Sequence, residues 1–345
     1  MDLWHMDIRR FAKAYESPKF TLSRIKENYE AYYDIHYPGE ERQTMRPHNT
    51  SPIYEWHKAN GANFGEKFAW ERVNFYERSN ENESLRPKEW AGHHWNSNMV
   101  LEHRTTRESA GIFDESSFAK ILISGARAGE FLNYIAANDV IRGENRATYT
   151  QLLNSRGGIE ADVTITSIAG DKYLLITGTA SGRHDLTWLK KIARERSFTD
   201  VKIEDVTEDY AVFGIWGPKA REIMQTIVDI DLSHKAFPFA KSLPAKIAGV
   251  ELRMTRITYV GELGWELYIP WESGLTVWQK LIDAGSKFGA KPCGYRAIES
   301  LRLEKGYLAW GVEINTETNP YEANLAFAVS KVKEKFLGKE ALEKL

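Results

Sequence analysis

Cysteine is nearly absent from these 345 residues: Cys293 stands alone, which excludes an internal disulfide and any cysteine-based zinc cluster. A reducing compartment, cytoplasm or mitochondrial matrix, is the expected setting, and the thiol is expected to be buried near a helix start. An excess of one charge is lacking too. Forty-six basic against 48 acidic residues leave a formal net charge of −2, so no general electrostatic pull toward nucleic acid or an anionic membrane is expected. No apolar run approaches the roughly 20 residues that span a bilayer. The N-terminus, MDLWHMDIRRFAKAY, has no apolar core of a secretory signal and carries acids that argue against a transit peptide. Nucleotide cradles are missing as well, with no GxGxxG and no Gly-Lys-Ser/Thr loop. The nine histidines show no HExxH spacing, and the adjacent His93 and His94 cannot readily chelate one ion from a regular element, so no metal is expected.

What is present is material for proper cores: 42% apolar and 12% aromatic residues, enough for two or three domains. From Ile8 to about Tyr76 the chain is rich in Arg, Tyr, Glu and Trp, with a helix expected at Leu22–Tyr33, and reads as an adaptor. The polar run ERSNENESLRPK, Glu77 to Lys88, has no apolar periodicity and marks a domain edge or surface loop. Beyond it lies an internal repeat. ILISGARAGEFL (Ile121–Leu132) aligns with FGIWGPKAREIM (Phe213–Met224), 92 residues on, each an apolar strand, a glycine turn and a helix. GIEADVTITSIAGDKYLLITG (Gly158–Gly178) aligns with GVELRMTRITYVGELGWELYIP (Gly249–Pro270) at nearly the same spacing. Two similar α+β units follow, each with antiparallel strands and with its helices on one side of the sheet.

Two carboxylates stand out against this frame. In YTQLLNSRGGIEADVTIT, Ile159, Ala161, Val163 and Ile165 alternate with Glu160, Asp162, Thr164 and Thr166, which puts Asp162 on a strand just past the Gly157–Gly158 turn, where a ligand could approach the backbone. In YVGELGWELYIP, Trp265, Leu267 and Ile269 take one face while Glu266 and Tyr268 take the other. If that second face is interior, the carboxylate needs donors, because burying it unpartnered is costly. Spacing alone also allows both acids to face solvent. Downstream, GYRAIESLRLEKGYLAWG (Gly294–Gly311) reads as a helix ending at Gly306 with Ile298, Leu301 and Leu303 toward one face, and the chain closes on a charged helix in FLGKEALEKL.

These motifs carry a resemblance. YVGELGWELYIP, GGIEAD and LRLEKGYLAWG resemble the folate-binding family that includes the aminomethyltransferase (T-protein) of the glycine cleavage system. DLWHMDIRRF, SPIYEWHKANGANFGEKFAWERVNFY, LEHRTTRESAGIFDESSFAKILISG and NTETNPYEANLAF make the whole chain more similar to the C-terminal half of the dimethylglycine and sarcosine dehydrogenase family. The resemblance implies two T-protein-type units, at 89–200 and 201–325, after an adaptor at 1–88, with 326–345 opening a further, incomplete domain. It implies tetrahydrofolate as cofactor, a methylamine-derived iminium as the one-carbon donor, and FAD only through a domain or subunit outside this chain. Asp162 matches the family's essential folate-site aspartate, and Glu266 the glutamate that pairs with the pterin ring. Tyr149 and Tyr259 match tyrosines lining the same pocket, and Arg296 corresponds to an arginine expected near the folate's carboxylate tail. Arg302 and Glu304 are expected to serve as a structural ion pair or cap.

The activity implied is one-carbon transfer giving 5,10-methylenetetrahydrofolate, as a fragment or separately encoded subunit of an FAD-linked demethylating dehydrogenase. One alternative is a free-standing aminomethyl- or methyltransferase, against which the adaptor argues, since T-proteins begin close to EHRTTRESAGIFDESS. The other is a non-catalytic regulatory relative, which would be expected to lose the acid or the tyrosines that are kept here.

Overall fold

The computed structural model describes residues 6–35, 40–78 and 97–345; most of the 77–88 run and the His93–His94 pair lie outside the described residues. Helix α1 (Pro18–Glu30) starts earlier than expected from its apolar residues. Ser17 caps it, its Oγ accepting from the Phe20 N–H at 3.4 Å, and Pro18 occupies the first turn, where its missing N–H costs nothing. After α2 (Tyr54–Ala59), a hairpin of β1 (Ala62–Lys67) and β2 (Trp70–Tyr76) packs on α1, with buried Arg24 of the helix paired to Glu66 of the strand.

The repeat is visible in two sheets. A five-stranded sheet has the order β5 (Arg146–Leu153), β6 (Ile159–Ala169), β7 (Lys172–Thr177), β4 (Ala119–Ser124), β8 (Lys202–Asp205). A six-stranded sheet has the order β10 (Ser242–Ile247), β11 (Val250–Thr255), β12 (Gly264–Pro270), β9 (Tyr210–Trp216), β3 (Gly111–Asp114), β13 (Lys291–Cys293). Their pairings are antiparallel except that of β13 with β3. Register supports the repeat: Ile121 of β4 pairs with Leu175 of β7, and 92 residues on, Phe213 of β9 pairs with Leu267 of β12. The α+β reading with antiparallel sheets holds.

Alternation along the strands explains the layers. Helices α4 (Ala128–Ile135) and α5 (Gly182–Glu195) cover one face of the five-stranded sheet, where Phe131, Leu132 and Leu189 meet Ile121, Val163, Ile165 and Leu175. Helices α6 (Ala220–Gln225) and α7 (Gly274–Ser286) do the same for the six-stranded sheet, burying Ile223 and Trp278 against Phe213, Trp265, Leu267 and Ile269. Each such side chain stabilises the fold by roughly 1.5–3 kcal/mol. The opposite faces turn toward each other. Leu174 and Ile176 of β7 share a cluster with Val212 of β9 and Tyr268 of β12, so the order is helices, sheet, sheet, helices.

Two segments cross between the halves. Strand β3, preceded by α3 (Ser97–Glu108), joins the six-stranded sheet although it comes before β4 in sequence. Conversely, the chain after α8 (Tyr295–Glu304) returns to the five-stranded sheet. Ile159 N–H donates to Thr318 O at 2.9 Å, Trp310 Nε1 to Ile159 O at 2.9 Å, and Ser330 N–H to Ala137 O at 3.0 Å. Ile314, Leu325, Val329 and Phe336 bury against Leu153 and Ile159, and the last helix, α9 (Lys339–Leu342), adds Leu342. Helix α8 buries Ile298 and Leu301 as expected but leaves Leu303 54% exposed. Two residues past Leu301, Leu303 has turned about 200° around the helix, and Arg302 takes the inward position instead. Cys293 is buried just before this helix, as expected.

Candidate active site

Between the sheets opens a cavity of about 1290 Å³, and all five candidate residues line it: Tyr149, Asp162, Tyr259, Glu266 and Arg296. Asp162 enters from β6 and Glu266 from β12, one acid from each sheet. Both lie on the strand face opposite the helices, and both are half-buried.

Asp162 sits directly opposite Gln151 of β5, whose Nε2 donates to Asp162 Oδ1 at 2.9 Å. Burial raises its carboxyl to about 6, against the stabilising contacts of Gln151 and the Tyr149 hydroxyl. At neutral pH it is therefore ionised but within reach of a proton. Tyr149, two residues from Gln151 on the same strand face, stacks with Phe327 at a centroid distance of 6.0 Å. Its hydroxyl is held well above the ordinary range by burial and by the neighbouring Asp162. The Gly157–Gly158 turn serves a different purpose from the one expected: the chain's own Thr316 carbonyl occupies the close approach. A Cβ on Gly158 would lie 1.9 Å from Thr316 O, so only glycine admits the returning segment.

Glu266 Oε2 accepts from the Tyr268 hydroxyl at 2.5 Å, two residues along the same face. Burial lifts its carboxyl to about 7, Tyr268 notwithstanding. Tyr259 lies in the loop before β12, donates to Leu308 O at 2.9 Å and stacks with Tyr307 at 6.2 Å, leaving its ring as cavity wall. Arg296, on α8, is 3.9 Å from Glu41. Arg302 and Glu304 do not pair with each other. Arg302 is 1% exposed and held by Glu299 and by Glu313, the latter at 3.0 Å, while Glu304 receives Arg107 at 2.9 Å and His103 at 3.2 Å.

The cavity also holds groups the sequence reading missed. Glu115 is 2% exposed, with Oε2 lacking a hydrogen-bond partner. Arg72 of β2 lines the same wall, its guanidinium 3.3 Å from the centroid of the Tyr295 ring. On the far side, His184 bridges Glu160 at 3.1 Å and Asp185 at 2.8 Å. Burial disfavours its charged ring, but the two carboxylates outweigh that and push it up to about 9. Gln151 was within reach of sequence: a hairpin closed at Gly157–Gly158 puts it across from Asp162. Arg72 and Glu115 carry no local signal, because their meeting depends on β2 packing against α8.

Known proteins resemble the chain in sequence and fold. Residues 53–333 match the family model described as the GCVT N-terminal domain, and residues 1–51 match the FAD dependent oxidoreductase central domain. The chain is 32% identical over its whole length to mitochondrial dimethylglycine dehydrogenase of Mus musculus, of which it spans 39%. It is 37% identical over 247 residues, 71% of this chain and 65% of the relative, to an aminomethyltransferase of Caldanaerobacter subterraneus. The crystal structure of the glycine cleavage system aminomethyltransferase T from Bartonella henselae superposes with a TM-score of 0.71 at 27% identity, covering 86% of this chain and 74% of that one. The chain belongs to the GCVT domain family, and a match to the FAD dependent oxidoreductase central domain precedes that domain in it.

Proposed function

We propose that this chain binds tetrahydrofolate and catalyses the one-carbon transfer step of an FAD-linked N-methylamine dehydrogenase of the dimethylglycine or sarcosine type, giving 5,10-methylenetetrahydrofolate. The observation that carries the reading is the convergence of Asp162 and Glu266, from opposite sheets, on one cavity walled by Tyr149 and Tyr259. The residues fit the group. About 1290 Å³ leaves room for a ligand with a ring and a long tail. Beside Asp162, Gln151 Oε1 is an orphaned acceptor.

Tetrahydrofolate would supply the nucleophilic nitrogens that accept the one-carbon unit. Glu266, ionised, accepts from the ring's amino group and adjacent N–H as a fork. The Tyr149 and Tyr259 rings offer flat apolar faces for the pterin and aminobenzoyl planes. Asp162 would have two tasks: its charge stabilises an iminium cation, and its oxygen takes the proton shed as the first new C–N bond forms. It passes that proton to the donor nitrogen, which leaves as the free amine when the second folate nitrogen displaces it and sheds its own proton to Asp162. A carboxyl near 6 suits that exchange at neutral pH, being mostly ionised yet basic enough to hold the proton briefly. Arg296 lies at the cavity wall for the anionic tail. The FAD chemistry that makes the iminium belongs to a domain or subunit outside these residues, docked by way of the adaptor at 1–88. The two T-protein-type units span 89–200 and 201–325. No helix among the described residues is long and apolar enough to cross a membrane, and mitochondrial relatives point to the matrix, or the cytoplasm in a bacterium.

Calorimetric titration of the chain with tetrahydrofolate tests the reading. Micromolar binding that collapses in Glu266→Ala and largely survives in Asp162→Ala is the expected result. A folded chain that binds no reduced folate would sink it.

A further inference from the structure

Two charged groups in the cavity have no role in the function just proposed. Glu115 is fixed by its own backbone, its N–H donating to Val212 O of β9 at 2.8 Å, and its side chain is 98% removed from solvent with Oε2 unpartnered. An orphaned, deeply buried carboxyl oxygen is rare enough to call for a partner the protein itself does not supply. Arg72 has the complementary vacancy. Its guanidinium lies over the Tyr295 ring, and no hydrogen bond or ion pair joins it to any described residue. None of its N–H donors is taken up by a hydrogen bond to a described residue, although the carboxyl groups of Glu115, Glu41 and Glu299 share the cavity wall.

The placement of these groups is built rather than incidental. Glu102, fully buried, accepts from the Tyr76 N–H through one oxygen and from the Gly294 N–H through the other, both at 2.8 Å. That carboxyl locks the end of β2 to the start of α8, and so holds Arg72 against Tyr295. Ser117, two residues from Glu115, reaches the Tyr295 hydroxyl at 3.3 Å and closes the wall. Glu115 and Glu266 stand close enough to repel: burial first, then Glu266 and Asp114, raise the Glu115 carboxyl well above its ordinary range, while Arg72 alone pulls the other way.

We propose that Arg72 and Glu115 extend the Glu266 subsite into a polar clamp for a flat heterocycle bearing a carbonyl beside a two-donor edge. Arg72 donates to the carbonyl oxygen. Glu115 is a positioning residue that keeps the proton of the carboxyl pair, leaving the single negative charge on Glu266, where the ring's two donors need it. This inference rests on the folate reading above and adds two residues and a division of charge to it. The groups facing the pair are Tyr268 from β12, Asp114 at the end of β3, Arg72 from β2 and Tyr295 from α8, and Glu41 and Glu299 face Arg72 in turn.

The test is calorimetry on the full chain with three probes: tetrahydrofolate, a tail-less reduced pterin, and p-aminobenzoylglutamate, which is the tail without the pterin. Arg72→Met is expected to weaken both pterins by roughly ten- to a hundredfold, the worth of one charge-assisted hydrogen bond, and to leave p-aminobenzoylglutamate unchanged. Glu115→Gln keeps a neutral side chain in place of the protonated carboxyl, so the acid limb of the tetrahydrofolate affinity profile stays where it is, whereas the alkaline fall in affinity that sets in when Glu115 ionises is abolished. A merely structural role for Glu115 would lower affinity equally at every pH, and that result overturns its assignment. Loss of p-aminobenzoylglutamate binding in Arg72→Met would give Arg72 to the anionic tail and overturn the clamp. Pterin binding unchanged in both variants overturns the clamp alone, whereas a wild-type chain that binds no pterin overturns the folate reading with it. Should Arg72→Met fail to fold, Arg72→Lys, which keeps the charge but not the planar fork, carries the same test with a smaller expected loss of pterin affinity.

Discussion

The two large sheets share one scaffold and divide the chemistry unequally. Strands β5-β6-β7-β4 and β10-β11-β12-β9 have the same order, and Ile121 with Leu175 corresponds to Phe213 with Leu267. The acids, however, do not correspond. The position equivalent to Asp162 in the second sheet is Arg253, which donates to Asn145 Oδ1 at 2.9 Å and Ser242 O at 3.1 Å and ties the two halves together. The position equivalent to Glu266 in the first sheet is Leu174, part of the apolar seam between the sheets. A repeated frame thus supplies two facing surfaces, and single departures from the repeat, at different places in each, supply a base on one side and an anchor on the other.

That comparison can be broken at several points. The largest effect is expected for Asp162→Asn, which should lower the one-carbon transfer rate by about 10²–10⁴-fold in a single-turnover assay while folate affinity stays within a few-fold. Arg253, its counterpart, is no part of this chemistry, and Arg253→Met should leave the transfer rate unchanged and lower stability alone. Next, Leu175→Ala and Leu267→Ala should each cost about 2–5 kcal/mol in denaturant unfolding, since both side chains are fully buried at matching register. Clearly unequal costs would show that the two cores are not equivalent. Glu266→Gln should then weaken tetrahydrofolate by roughly ten- to a hundredfold, and adding Leu174→Glu should not restore it, because the mirror position faces the apolar seam.

The smallest expected effect separates function from stability. Burial holds the Asp162 carboxyl at about 6, above its ordinary value, so the folded chain keeps this proton better than the unfolded one. The associated stability is present below the ordinary carboxylate range and is lost as pH rises through about 6. Asp162→Asn should therefore raise the unfolding free energy at about pH 8 by roughly 1–3 kcal/mol and change it little at about pH 4. A thermal melt at the two pH values decides it.

Much of this architecture was legible because strand alternation is local. Trp265, Leu267 and Ile269 on one face and Glu266 with Tyr268 on the other could be read directly, and so could the 92-residue echo that the pairing register repeats. Asp162 and Glu266 were picked out as acids on strands, and spacing alone left them free to face solvent. That they enter one cavity depends on two sheets meeting face to face. The start of α1 was misjudged because the Ser17 cap and Pro18 outweigh apolar spacing, and Leu303 because a three-residue apolar pattern does not fix which of two neighbouring residues turns inward. Arg72 and Glu115 were invisible for a deeper reason. They lie 43 positions apart in the numbering, and nothing in either neighbourhood announces the Glu102 lock that brings them to one wall.

The exchange of segments between the halves sets a rule for any rearrangement of this chain. Strand β3 precedes the first sheet's strands yet completes the second sheet, and residues 307–333 follow the second sheet's strands yet seal the first. Order along the gene and ownership in space are thus crossed, like two hands clasped. A crossover near residue 200 would give each product a sheet stripped of the piece it borrows, so such repeats can diverge by point substitution far more freely than by shuffling.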